Sequence, residues 1–288
     1  MRILLLTSFT MLAFASNSIL TRLAVEGQHI DPVSFAVVRV FSGAAVLVAL
    51  VLIGSGRLPW RSQGRVIGAI SLLVYMIGFS IAYVSLDAGL GALILFGVVQ
   101  ITMFTYAACR ATRPTVRQLA GASIAFIGLI IALWPNEGAS TNLLGAFSMV
   151  LAGIGWAAYT LSGKSGTDPL AETAVNFAIC LPILALLSLP FFEMVSVTGL
   201  LLGVLCGGLT SGLGYALWYK VLSDIQPSSA AVVQLSVPII AIVGGAILLG
   251  EPVTQEIVLA AAFVICGIGL AVTSRSSPKG RSTRDLDH

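Results

Sequence analysis

Ten runs of about twenty apolar residues fill this chain almost end to end, and no other feature narrows its possible folds so far. They cover 3–25, 31–53, 65–86, 88–108, 116–134, 142–163, 169–190, 197–219, 226–249 and 254–274, each bounded by charge, Gly or Pro. At about 1.5 Å of rise per residue, each run can cross a hydrocarbon layer as a helix. Lipid offers no partner to an unpaired backbone group, so such runs must be helical. The alternating strands of a membrane barrel are not seen. Composition agrees: 57% of the residues are hydrophobic and 9% charged, too little charge for a water-facing surface. The expected fold is an all-α membrane protein of ten transmembrane helices. The first run also has a competing reading as a signal peptide, from Arg2, an apolar core and Ala13-Phe14-Ala15.

The cations supply a second, independent count. Thirteen of the fifteen lie in alternate connections or at the termini: Arg2; Arg57, Arg61 and Arg65; Arg110, Arg113 and Arg117; Lys164; Lys220; and Arg275, Lys279, Arg281 and Arg284. The remaining connections carry Glu26, Asp31, Asp87, Glu137, Glu193, Glu251 and Glu256, and no cation. The positive-inside rule puts the cationic set in the cytoplasm. Both termini are then cytoplasmic, the span number is even, and a bacterial inner membrane is the expected location. No basic patch is interleaved with aromatics, so nucleic acid is not an expected partner. Cys109, Cys180, Cys206 and Cys266 are widely spaced without a CxxC pair and read as apolar packing residues, with no metal or cofactor implied. HExxH, GxSxG and paired intramembrane carboxylates are missing, which argues against an enzyme.

The two halves resemble each other. Asp31-Pro32 opens the second run and leads to Arg39; Asp168-Pro169 opens the seventh and leads to Asn176. Thr112-Arg113-Pro114-Thr115 precedes the fifth run and Glu251-Pro252-Val253-Thr254 the tenth, with Gly128 and Gly267 following at matched distances. Five is odd, so the second copy must enter from the opposite side. Residues 1–135 and 136–274 are thus expected to form two inverted five-helix repeats around a central cavity, with 275–288 as a cytoplasmic tail.

Residues inside the spans that cost most to bury are the candidates for function. Arg39 lies about 10 Å into its span at the usual helical rise and can offer a carboxylate a fork of donors, or alternatively hold carbonyls near the outer surface. Arg22, nearer a helix end, is expected to snorkel or to meet Glu26 or Asp31. Asn17, Gln100, Asn176 and Gln234 fall mid-span, where an amide must face protein or a wet cavity. Tyr75, Tyr83, Trp156, Tyr159 and Tyr215 are deep enough to wall a cavity for flat or cationic solutes. Trp134, Trp218 and Tyr219 lie at span ends and read as the interfacial belt. Glu172 sits in a first helical turn, where the dipole favours it, and no Asp or Glu is deep in a span. Gly203xxxGly207, Gly208xxxGly212, Gly153 and Gly155 read as close helix contacts, and Pro182 and Pro238 as bending points.

Phe14-Ala15-Ser16-Asn17, Arg22, Asp31-Pro32 and Arg39, then Trp156-Ala157-Ala158-Tyr159, Tyr219-Lys220, Gln226 to Ala231, Pro238 and Leu249-Gly250-Glu251 resemble, in order and spacing, EamA-type members of the drug/metabolite transporter superfamily. The resemblance implies ten helices in two inverted halves and export of amino acids, other metabolites or toxic compounds. In overall look the chain is similar to the amino-acid exporters, including those for aromatic amino acids. It departs at Thr112 where a Glu is usual, Thr102 where a Pro is expected, and Phe14 in place of a Trp. The expected activity is alternating-access export of a small-molecule substrate by a lipid-embedded monomer or weak dimer. The alternatives are an exporter of cationic drugs, or a channel or lipid scramblase.

Overall fold

The computed structural model describes residues 1–54, 56–62, 64–110, 115–134, 142–162, 168–191, 195–225 and 233–273. Thr112, Arg113, Pro114, Glu137, Lys164, Glu193, residues 226–232 and the tail from Arg275 lie outside them. The helices are α1 Arg2–Glu26, α2 Pro32–Gly54, α3 Arg65–Ala82, α4 Ala88–Arg110, α5 Val116–Leu133, α6 Leu143–Ser162 and α7 Pro169–Ser188. Val197–Val204, a π-helical Leu205–Leu213 and Gly214–Asp224 run on as α8; Ser236–Leu248 is α9 and Gln255–Val272 is α10. No strand occurs among the described residues. Nine of these helices are long and apolar enough to cross a membrane. Within the described residues α9 is shorter, because the run expected at 226–249 begins in the segment outside them.

Helix starts follow the capping residues. The Asp31 carboxylate accepts from the amides of Val33 and Ser34 at 3.0 and 2.9 Å. Asp168 does the same for Leu170 and Ala171, both at 3.1 Å. Thr115 opens α5 with a capping box to Gln118, and Thr254 opens α10 by accepting from Ile257. Each cap satisfies amides that the first helical turn leaves unpaired. The third helix is shorter than expected: it ends at Ala82, and Tyr83–Leu86 form a turn closed by the Leu86 amide on Ala82 O at 3.0 Å. That turn carries Asp87 to the first turn of α4.

The packing alternates between the two halves of the chain. α2 lies on α7, α5 on α10, α3 on α6, and α1 against α8; α4 meets α6 and α9, and α1 also meets α9. Glycine sets the closest approaches. A Cβ on Gly267 would run into the backbone of Ala125, and one on Gly128 into Val264. Gly203 and Gly207 bring α8 against Val38, Arg39 and Ser42 of α2, so the small residues do serve close packing. The buried core includes Phe35, Leu47, Leu72, Met76, Leu93 and Phe177, while Phe41, Ile70, Phe126, Phe147 and Leu186 point outward. An outer surface this apolar suits lipid rather than water.

Candidate functional site

A chamber of about 280 Å³ lies between the helices that the two halves contribute. It reaches from Ser62, Gly64, Ser162 and Leu222 at the end of the bundle that bears Arg65 to Trp156 and Tyr215 in its interior. Helices α6, α7 and α8 supply most of the wall. The rings are close-packed: Trp156 stacks on Tyr215 at 5.4 Å between centroids and 21° between planes, and meets Tyr159 at 5.5 Å and Tyr75 at 4.9 Å. The hydroxyls of Tyr75, Tyr159 and Tyr219 are occupied. Tyr159 OH donates to Thr173 Oγ1 at 2.8 Å, and Tyr219 OH lies 2.7 Å from the same oxygen. What the rings present to the chamber is therefore mainly π face, suited to a flat or apolar solute.

One polar group interrupts that wall. Arg65, at the start of α3, pairs with the Glu172 carboxylate of α7 at 2.5 Å and donates to Asn176 Oδ1 at 2.8 Å and Glu172 O at 3.0 Å. It also donates to Pro59 O. All three side chains line the chamber, so a plus and a minus charge stand together at its mouth.

A second, deeper cavity of about 30 Å³ is lined by Phe14, Asn17, Ser18, Tyr75, Phe79, Leu95, Phe96 and Gln234. Trp156 and Tyr215 border both spaces and so form the partition between them. Beneath Tyr75 and Phe79 lies Arg39, wholly buried. Its Nε donates to Ser211 Oγ and its Nη2 to Tyr75 OH, each at 3.1 Å. The guanidinium carbon stands 4.9 Å from the Phe79 centroid and 5.5 Å from that of Tyr75. Ser211 donates onward to Asn17 Oδ1 at 3.1 Å, which also accepts from Thr210 at 2.6 Å and Cys206 at 3.3 Å. Cys206, Thr210 and Ser211 all belong to the π-helical stretch of α8, a local geometry that recurs at functional sites.

The opposite end of the bundle is closed. Arg22 lies 3.5 Å from both Asp87 and Glu251 and donates to the carbonyls of Tyr83 and Val84 at 3.1 Å. Both oxygens of Glu251 accept from the Ala88 amide, at 2.8 and 2.9 Å. The Ser196 amide donates to His29 O at 2.9 Å. Burial pushes the Glu251 carboxyl above its ordinary value; the Ala88 amide and Arg22 oppose the rise and Asp87 adds to it.

Of the residues expected from sequence, Trp156, Tyr159, Asn176 and Tyr215 meet in the chamber, and Asn17, Tyr75 and Gln234 in the deeper cavity. Arg39 lines neither but holds two rings that do. Tyr83 and Gln100 line neither space. Tyr83 is wholly buried, its hydroxyl 3.3 Å from Ala88 O. Arg22 does not pair with Glu26 or Asp31, because Asp87 and Glu251 are brought to it by the turns before α4 and α10. Trp218 and Tyr219 are chamber wall rather than interfacial belt, since α8 runs on to Asp224 and turns those rings inward. Arg65 and Glu172 were not singled out for the site. The available signal was a cation and an anion, each in the first turn of its helix at the same expected depth.

Residues 143–273 match the EamA-like transporter family. An uncharacterized protein of Pseudomonas aeruginosa is 44% identical over 99% of this chain and 98% of its own. An uncharacterized transporter of Archaeoglobus fulgidus is 25% identical, over 88% of this chain and 94% of its own. A probable amino-acid metabolite efflux pump of Salmonella typhimurium is 25% identical, over 65% and 68%. A solved crystal structure superposes with a TM-score of 0.62 at 17% identity, covering 92% of this chain and 96% of that one, which is a likeness of fold.

Proposed function

The chain belongs to the EamA-like transporter family, and we propose that it exports small amphipathic metabolites by alternating access, with amino acids, aromatic ones included, as the first substrate class. The observation that carries this reading is a ring-walled chamber that reaches one end of the bundle while the other end is sealed by Arg22, Asp87 and Glu251. A carrier needs such a one-sided state and its mirror image.

The mirror is supported by the packing. Gly128 meets Val264 and Ala125 meets Gly267, residues equivalent in pairs when Thr115 and Thr254 are aligned. This reciprocity favours residues 1–135 and 136–274 as inverted halves that rock about the α5–α10 contact. Alternate placement of cations favours an inner-membrane orientation with the Arg65 end, both termini and the tail 275–288 in the cytoplasm. The chamber then faces the side from which an exporter loads.

Counterflow of labelled phenylalanine, tryptophan and leucine into proteoliposomes tests the proposal. Saturable uptake, accelerated by preloaded unlabelled substrate, is expected. Uptake that neither saturates nor responds to preloading would indicate a channel. No uptake of any amino acid by folded protein would remove the substrate class.

A further inference from the structure

Arg39 is the most expensive residue in the bundle, and its surroundings do not balance its charge. The ion pairs among the described residues join Arg22 to Asp87 and Glu251, and Arg65 to Glu172; none includes Arg39. Its guanidinium is held by a serine hydroxyl, a tyrosine hydroxyl and two ring faces, all neutral. Its Nη1 is buried without a hydrogen-bond partner. It lies too deep to snorkel, being wholly buried. Neutral residues of similar volume would pack α2 against α8 without that cost.

Resting on the transport reading, we propose that Arg39 receives a carboxylate of the transported solute, so that the carrier selects molecules joining a carboxylate to a flat apolar body over amides and amines of the same body. The space for it lies across the two rings that cover the guanidinium, which does not itself line the cavity. Tyr75 and Phe79, the rings over Arg39, line the deeper cavity, and its volume of about 30 Å³ accepts one small group rather than a whole metabolite. Trp156 and Tyr215 divide that cavity from the chamber. A solute lying on their faces can thus project one terminal group past them. The free Nη1, with Nη2 released from Tyr75 OH, presents the parallel donors that a carboxylate accepts. A charged acceptor displaces a neutral hydroxyl because charge-assisted hydrogen bonds are the stronger kind. One guanidinium neutralises one negative charge, which matches a carboxylate and not a phosphate dianion.

The test uses purified full-length protein in detergent, read by its thermal unfolding midpoint. The probes are phenylalanine against phenylalaninamide, and phenylacetate against phenylacetamide, with sodium chloride against sodium sulfate at equal ionic strength. Each acid is expected to raise the midpoint at a concentration at least about tenfold below that of its amide. Arg39→Gln should abolish that preference and Arg39→Lys retain part of it. Equal behaviour of acid and amide in the wild type, including no effect of either, overturns the proposal without any variant. So does a preference that survives in folded Arg39→Gln. Chloride alone raising the midpoint and blocking phenylacetate would give Arg39 to an inorganic counter-ion, and also overturns it. Acid-selective binding without counterflow would sink the transport reading alone; counterflow indifferent to the carboxylate would sink this inference alone.

Discussion

Trp156 meets Tyr75, Tyr159 and Tyr215 at centroid distances of 4.9, 5.5 and 5.4 Å, and it borders both cavities. Aromatic pairs contribute about 0.5–1.5 kcal/mol each beyond their burial, so a ring solute stacked on Trp156 is worth roughly tenfold in affinity. Trp156→Ala should therefore raise the half-saturation of phenylalanine counterflow about tenfold at equal insertion, and an unchanged value would take Trp156 out of the site. Gly207→Ala should destabilise by about 1–3 kcal/mol, because the added methyl meets Arg39 O and Ser42 Oγ across the α2–α8 contact. A thermal melt in detergent reads that loss. At this scale the sequence told depth but not angle. Trp156 and Tyr83 are both aromatic and both deep, yet one faces the chamber and the other the packed acidic end. Gln100 and Asn176 divide in the same way. Hydropathy has no term for the direction of a side chain around a helix whose every face is apolar.

Helices were the most legible elements, since length, apolarity and an Asp or Thr cap all point to the same boundary. The connection before α10 was less so. Glu251 reads as one more acidic loop residue until the fold sets it on the Ala88 amide beside Arg22, far away in sequence. Its titration gives that seal a pH dependence. With its carboxyl raised by burial, the folded protein holds a proton that the unfolded chain has released, at any pH between the ordinary and the raised value. Stability then falls as pH rises through that window. Glu251→Gln removes the titrating proton and should flatten the midpoint-against-pH curve there. An identical slope in wild type and variant would show that another group is responsible.

For the whole molecule, a chamber reaching only the Arg65 end predicts one-sided chemical access. Thr160 lines that chamber. In a background with exposed Cys109 and Cys266 replaced by Ser, Thr160→Cys should react with an impermeant maleimide in inside-out vesicles, and transported substrate should protect it. Faster labelling of right-side-out cells would reverse the assigned orientation. The apolar helices and the alternation of charge along the chain are legible in the sequence. The pairing of Arg65 with Glu172 and Asn176 was not, because it joins positions more than a hundred residues apart along the chain. The π-helical stretch Leu205–Leu213 also left no mark in the sequence. The Gly214 amide reaches back to Leu209 O, five residues instead of four. Gly203 above it and Gly207 within it hold α8 against α2; below it, Tyr215, Trp218 and Tyr219 face the solute space. The wide turns set the phase between these two ends, as a spacer sets two gears. Relaxing these turns to an ordinary helix at the same length would swing the three rings by about 100°, so the wide turns themselves keep the chamber walled.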